Sequence, residues 1–443
     1  MRSGTVVVVV VSTLLLAACS APSPSRSPGR PASPSASASP SVSDSPSARA
    51  GDGTALLGLP AACRGDGAAV VLRSTDSGVA AGDVLPGPTG LRGGFGSVVA
   101  HGDVTGDGVP DALVLAPDEV VDGPEETGRM RLLVGGAGLS IDRAQVVDAT
   151  TFGLPVPRPA GSTRTLDSPA LGDFNADGHD DLAVVETVTS PVTEDDLPPD
   201  RARRRVLVVP GSADGLVLRR VHPVPDERLP QVMRDDDMFA GAVELVASDG
   251  PGADSLAFVV QPYDDVAQVG VLHGGEDGLG SGAPHDVLIA SALDLSGVTA
   301  AAFGDFDGDG AQDLALVDGG PDVVVVTDLV ADGDPESMRV RAGVEGGLVR
   351  AGDLDGDGRG DLAVQAGARS VRLLPGSAGG LDAERTVSIT ASGGERAVRV
   401  LPGSRGLLLA DPAGDRATLV RDVGFDGDAP TALRVSGLPP GCD

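Results

Sequence analysis

Gly304-Asp305-Phe306-Asp307-Gly308-Asp309-Gly310-Ala311-Gln312-Asp313-Leu314-Ala315-Leu316-Val317 decides the fold of this chain. Counting from Asp305, acidic side chains occupy positions 1, 3, 5 and 9, and a strand-like apolar run follows at once. The frame returns as GDVTGDGVPDALVL from Gly102, GDFNADGHDDLAVV from Gly172 and GDLDGDGRGDLAVQ from Gly352. Internal self-similarity of this kind marks a repeat architecture. Between Asp173 and Asp305 there is room for one more unit, and Glu244 to Phe258, with Asp249-Gly250 and Asp254-Ser255-Leu256-Ala257, reads as a worn copy. Another copy, without an acidic loop, runs from Val398 through Leu407-Leu408-Leu409 to Thr418-Leu419-Val420.

Each unit holds several strands and no helix, and a small sheet cannot bury both faces alone. Stacking such sheets around an axis buries them and leaves short edges, so the expected fold is an all-β β-propeller over residues 51–443. Six units are countable. A seventh blade is expected from Ala68-Ala69-Val70-Val71-Leu72 at the front joined to Ala432-Leu433-Arg434-Val435 at the back, closing the ring without a covalent bond. An open β-solenoid is the alternative. Composition agrees with many strands and turns. Gly reaches 64 of 443 residues, and an interior Gly costs a helix about 0.5–1 kcal/mol relative to Ala. With 64 Asp plus Glu against 33 Arg, no Lys and a net charge of −31, a nucleic-acid partner is excluded and multivalent cations are favoured.

The loops explain that preference. Gly at position 6 permits a sharp turn that points the acids inward, and position 7 offers a backbone carbonyl. Hard cations such as Ca²⁺ take six to eight oxygens in this way. Four calcium sites are expected: Asp103, Thr105, Asp107, Val109 and Asp111; Asp173, Asn175, Asp177, His179 and Asp181; Asp305, Asp307, Asp309, Ala311 and Asp313; Asp353, Asp355, Asp357, Arg359 and Asp361. Thr105 replaces a charge with a hydroxyl and weakens its site. Carboxylates so close repel one another without a cation, so ion binding and folding are expected to be coupled. An EF-hand loop begins the same way, but it needs a Glu at position 12 and flanking helices; here position 12 is Val114, Val184, Leu316 or Val364.

On these residues the chain resembles the FG-GAP repeats of the integrin α-subunit type, also found in bacterial VCBS-repeat proteins. The likeness is carried by Phe95-Gly96, by the four acidic loops and by the L-A-V strands after them. It implies a seven-bladed propeller with its calcium loops on one face and ligands bound elsewhere, commonly on the opposite face. Most units lack the Phe-Gly pair.

The ends of the chain suggest a location. Arg2, the apolar stretch from Val6 to Ala18 and the sequence Leu16-Ala17-Ala18-Cys19 look like a lipoprotein signal over residues 1–18, with Cys19 carrying the lipid. Residues 19–50 follow as a tether; of the 31 residues from Ser20 to Ala50, 12 are Ser and 7 are Pro, a composition that stays disordered. The protein is therefore expected to be exported and held on the outer face of the cell membrane by its lipid alone. Cys63 and Cys442, left over near the two ends of the folded region, are expected to pair as a disulfide at the seam, two thiols being the alternative.

No G-x-S-x-G, H-E-x-x-H or Walker loop occurs, and the five His are scattered. His101 reads as a packing residue, and His179 as a solvated side chain. Arg201 to Arg205 reads as a solvated turn between strands. Arg64-Gly65-Asp66 reads as coincidence and Asp235-Asp236-Asp237 as an acidic loop. With no Trp and only Tyr263, the chain is poorly equipped to stack sugars. The expected function is a monomeric binding, adhesion or scaffolding module for an extracellular protein or cell-envelope polymer, without catalysis. The alternative is an extracytoplasmic hydrolase with its site in the arms near 117–128, 186–205 or 222–238.

Overall fold

Every acidic loop closes a hairpin, because the apolar runs on either side of it pair antiparallel. In this computed structural model Val98–Gly102 pairs with Asp111–Val120, Thr163–Gly172 with Asp181–Ser190, Ala300–Gly304 with Asp313–Val317, and Val349–Gly352 with Asp361–Gln365. All four loops leave and rejoin the ladder at one register: Gly102 faces Asp111, Gly172 faces Asp181, Gly304 faces Asp313 and Gly352 faces Asp361. The structure describes most of residues 54–443. Residues 1–53 and several internal stretches, the longest at 192–200 and 226–242, lie outside the described residues, and so do Cys19, Cys63 and Cys442.

Each hairpin is the start of a four-stranded antiparallel run. The first adds Glu126–Leu133 and Gln145–Val147, and the second adds Arg201–Val209 and His222–Pro223. A short parallel contact, Glu126 to Arg164 and Thr127 to Thr165, joins these two runs into one eight-stranded sheet. The worn copy forms Val243–Ala247, Leu256–Val260, Gln268–Leu272 and Val287–Ile289. Two further runs add Val323–Thr327 and Glu336–Val340, then Ser370–Leu374 and Val387–Thr390. The last is Arg396–Leu401, Gly406–Ala410, Ala417–Arg421 and Thr431–Arg434. Helix is limited, among the described residues, to single turns such as Ala149–Phe152, and none is long and apolar enough to cross a membrane.

The second strands are buried along their whole length where they matter: Leu256–Val260 and Asp313–Val317 have no exposed residue. Such strands need cover on both faces, and seven apolar clusters supply it, each drawn from two consecutive runs. Val99 and Val114 meet Leu56 and Val71; Leu113 and Met130 meet Leu182 and Leu207; Val185 and Val206 meet Leu245 and Phe258. Val259 and Val271 meet Leu314 and Val324; Val317 and Val325 meet Val349 and Leu362; Leu373 meets Leu409 and Val420. The seventh returns to the beginning, with Leu408 and Leu419 packed on Leu57 and Val70.

That last contact corrects the expected seam. Ala68 to Leu72 belongs to a three-stranded sheet of its own, Thr54–Leu59, Ala68–Thr75 and Gly78–Pro86, while Thr431–Arg434 pairs with Ala417–Arg421. Front and back share a core face to face and, among the described residues, exchange no strand. The Arg run is corrected too. Residues 201–205 lie in Arg201–Val209, whose pairing with Asp181–Ser190 extends from Arg201 opposite Ser190.

Candidate metal centre

The loop backbone is shaped by left-handed residues at two places. Gly108, Gly178, Gly310 and Gly358 at position 6 all have φ between +82° and +91°, a conformation that glycine adopts without strain. Position 4 is left-handed as well, at Gly106, Gly308 and Gly356, and in the second loop Ala176 takes φ +58° with a Cβ present. The resulting turns aim backbone N–H groups inward at the first Asp. Asp107 N and Gly108 N donate to the two carboxylate oxygens of Asp103 at 3.0 and 2.8 Å, and Asp177 N and Gly178 N donate to Asp173 at 3.0 and 2.9 Å. Gly308 N and Gly310 N do so to Asp305 at 2.7 and 3.0 Å, and Gly356 N and Gly358 N to Asp353. Positions 3 and 5 each cap the residue two further on: Asp307 Oδ1 accepts from Asp309 N at 3.0 Å, and Asp309 Oδ1 accepts from Ala311 N at 2.7 Å.

Position 9 is buried in all four loops, at 0–2% exposure. In three of them one oxygen accepts from a glycine at the end of the third strand: Asp111 from Gly135, Asp181 from Gly211 and Asp361 from Gly376, at 2.8–2.9 Å. The other oxygen turns into the loop, where Thr105 N, Phe306 N and Leu354 N donate to Asp111, Asp313 and Asp361 at 2.7–3.0 Å. Burial nevertheless dominates. It pushes Asp181, Asp313 and Asp361 up to about 7 and Asp111 to about 6. The charges of Asp173 and Asp177 add to the rise at Asp181, and those of Asp305, Asp307 and Asp309 at Asp313. Asp355 is raised as well, first by burial and then by Asp357 and Asp353.

Asp305, Asp307 and Asp313 bring one oxygen each within 4.8 Å of one another, as do Asp353, Asp355 and Asp361. Both triads could hold a metal ion, and their donors are oxygen alone. In the first two loops position 3 is Thr105 or Asn175, which removes the third carboxylate from the corresponding triad. Thr105 Oγ1 is buried there without a hydrogen-bond partner of good geometry.

Two features of the loops go beyond their acids. Position 2 is apolar and fully buried: Val104, Phe174, Phe306 and Leu354 enter the cores shared with the following run of strands. Position 7 also reaches a neighbour. His179 lies over Gly106 of the preceding loop, where an added Cβ would sit 2.7 Å from its ring, so its side chain is half-buried and not solvated as expected. Arg359 lies likewise over Gly308, with Nε donating to Asp307 O at 3.4 Å. The signal for position 2 was present in the repeats as V, F, F and L; position 7 carried none.

Other candidate groups are committed to structure. His101 is buried and accepts from Leu56 N at 3.1 Å, as a packing residue does. In the arms, Glu119 receives Arg129 and Arg131 at 2.6–2.9 Å; its carboxyl is held below the usual range against the opposing effect of burial. Arg164 bridges Glu126 and Glu186, and Glu186 also takes Arg205.

No protein-family profile matches the chain, and no curated protein does. Among solved structures, a candidate 6-phosphogluconolactonase of Bacteroides fragilis NCTC 9343 is similar at 13% identity and a TM-score of 0.47, over 87% of this chain and 97% of that one. A likeness of that size carries no argument about activity.

Proposed function

We propose that this chain is a calcium-stabilised β-propeller that serves as a binding, adhesion or scaffolding module on the cell surface. The observation that carries the metal reading is the pair of oxygen-only triads, Asp305–Asp307–Asp313 and Asp353–Asp355–Asp361, each with a buried acid pushed up to about 7. Oxygen-only donors suit Ca²⁺; zinc would want His or Cys, and Mg²⁺ a stricter octahedron that keeps its water. The other two loops share the frame and are proposed to bind more weakly, because Thr105 and Asn175 add no charge. A bound cation supplies the neutralising charge, and the loop residues hold it beside the apolar plug at position 2.

The propeller reading is supported by the succession of seven cores, whose last member joins the final strands to the first. Seven sheets would then act as blades, the eight-stranded sheet counting as two. The lipid anchor at Cys19, the tether over 19–50 and the Cys63–Cys442 bridge rest on the sequence alone. A partner is proposed to be an extracellular protein or envelope polymer, met on the face away from the metal loops. Among the described residues of the arms at 117–128 and 186–205, Glu119, Glu126 and Glu186 are engaged by arginines and lend the hydrolase alternative no support. Thermal melting with and without chelator tests the metal claim. At calcium one hundred times Kd each site adds about 2.7 kcal/mol, so removing several sites should lower Tm by roughly 10 °C or more. An unchanged Tm would refute it. Pull-down from cell-envelope extract, with and without chelator, tests for a partner.

A further inference from the structure

The loops do not stand alone. Asp180, at position 8 of the second loop, grips the first residue of the loop before it: Asp180 Oδ2 accepts from Asp103 N at 2.8 Å, and Asp180 N donates to Asp103 O at 3.0 Å. The approach leaves no room for a side chain at Gly102, where a Cβ would sit 2.2 Å from Asp180 Oδ2. The same pair of bonds recurs one unit later. Asp254 Oδ2 accepts from Asp173 N at 2.8 Å, and Asp254 N donates to Asp173 O at 2.8 Å. Between the third and fourth loops only the backbone half survives, as Gly360 N donating to Asp305 O.

Asp254 is the informative case. Its own turn has lost the metal frame: Ser248 N donates to Ser255 O at 2.8 Å where the other units place a glycine opposite Asp, the turn is two residues shorter, and Ser255 stands at position 9, bonded to His273 Nδ1 at 3.0 Å. The acid at position 8 nevertheless remains, buried at 2% exposure. A buried carboxylate is costly unless its hydrogen bonds are made; Oδ1 takes a 3.4 Å bond from Ser248 Oγ in its own turn, and Oδ2 takes the shorter bond, at 2.8 Å, from the neighbouring loop.

We propose that Asp254 and Asp180 are positioning residues that act from one four-stranded run to the run before it, each holding the first metal-binding Asp of the preceding loop. This rests on the calcium reading. The worn unit then serves the 173–181 loop instead of a cation of its own.

The test combines calcium titration of the whole protein with hydrogen exchange resolved to the loops. Asp254→Ala is expected to speed exchange at residues 173–178 about tenfold or more and to weaken one calcium step by a similar factor, leaving 103–108 and 305–310 as they were. Asp180→Ala should move the effect to 103–108, in the neighbouring loop, and decides the matter if Asp254→Ala does not fold. Asp254→Asn, which keeps an oxygen acceptor, should restore protection. Wild-type exchange at 173–178 in Asp254→Ala, or faster exchange confined to 252–255, overturns the proposal. If the protein takes up no calcium while exchange still shifts to the neighbouring loop, the positioning role stands and the calcium reading falls.

Discussion

The loop Asp305–Asp313 and the short turn between Ser248 and Ser255 occupy the same place in their units, between the first and second strands. One gathers three carboxylates within 4.8 Å, and the other has Ser255 where the buried Asp should be. Both nonetheless sit in fully packed sheets: Phe258 beside the worn turn is as buried as Phe306 in the acidic loop. The difference teaches that the sheets are joined by apolar cores and cross-sheet hydrogen bonds, and that a cation in the proposed sites would add to a junction already assembled. Where the acids are present, they are a liability until neutralised.

The comparison can be broken most severely at the plug. Phe306→Ala empties a buried site shared by two runs and should cost about 3–5 kcal/mol in denaturant unfolding, with or without calcium. Phe174→Ala, beside the worn unit, should cost as much. A much smaller loss would mean that the ion, not the core, joins the sheets.

The pH profile separates the charged loops from the rest. Without metal, Asp181, Asp313 and Asp361, pushed up to about 7, keep protons that the unfolded chain has released above about pH 4. The folded state then binds more protons than the unfolded one, so stability falls as pH rises from about 4 to about 7, by up to about 1.4 kcal/mol per pH unit for each group. With calcium the carboxylates are ionised, and the slope reverses: stability is lost as pH drops and protons displace the ion. Melting curves at pH 5 and 7.5, with calcium and with chelator, should cross; parallel curves would count against this.

Exchanging position 9 sharpens the contrast. Asp313→Asn should abolish one calcium step and leave the metal-free fold unharmed or slightly firmer. Ser255→Asp should destabilise by about 1 kcal/mol, since it places an acid at a half-buried position where no cation frame remains. The smallest effect is expected at Ala176, where glycine would relieve a left-handed residue and add about 0.5–1 kcal/mol. No gain from Ala176→Gly would place the strain elsewhere.

Much of this was readable in the chain. Repeats starting at Gly102, Gly172, Gly304 and Gly352 located four hairpins, and even the worn copies at 244–258 and 398–420 fell on strands. What stayed hidden were contacts between distant residues. The Asp103–Asp180 bond spans 77 positions, and nothing local to Asp180 distinguishes it from a solvated acid. The three-stranded front sheet was missed because Gly78–Pro86, with Gly82 and Asp83, has no clear apolar alternation. Arg201 to Arg205 misled for the opposite reason: five positions rich in charge read as solvent-facing, yet Arg205 pairs with Glu186 on the adjoining strand.

The central claim is that these loops take up calcium. Calorimetric titration of metal-stripped protein tests it most directly. The account predicts about four equivalents, two bound more tightly at the Asp305 and Asp353 loops, with protons released near pH 6–7 as Asp313 and Asp361 ionise. A titration with neither heat nor proton release would contradict it.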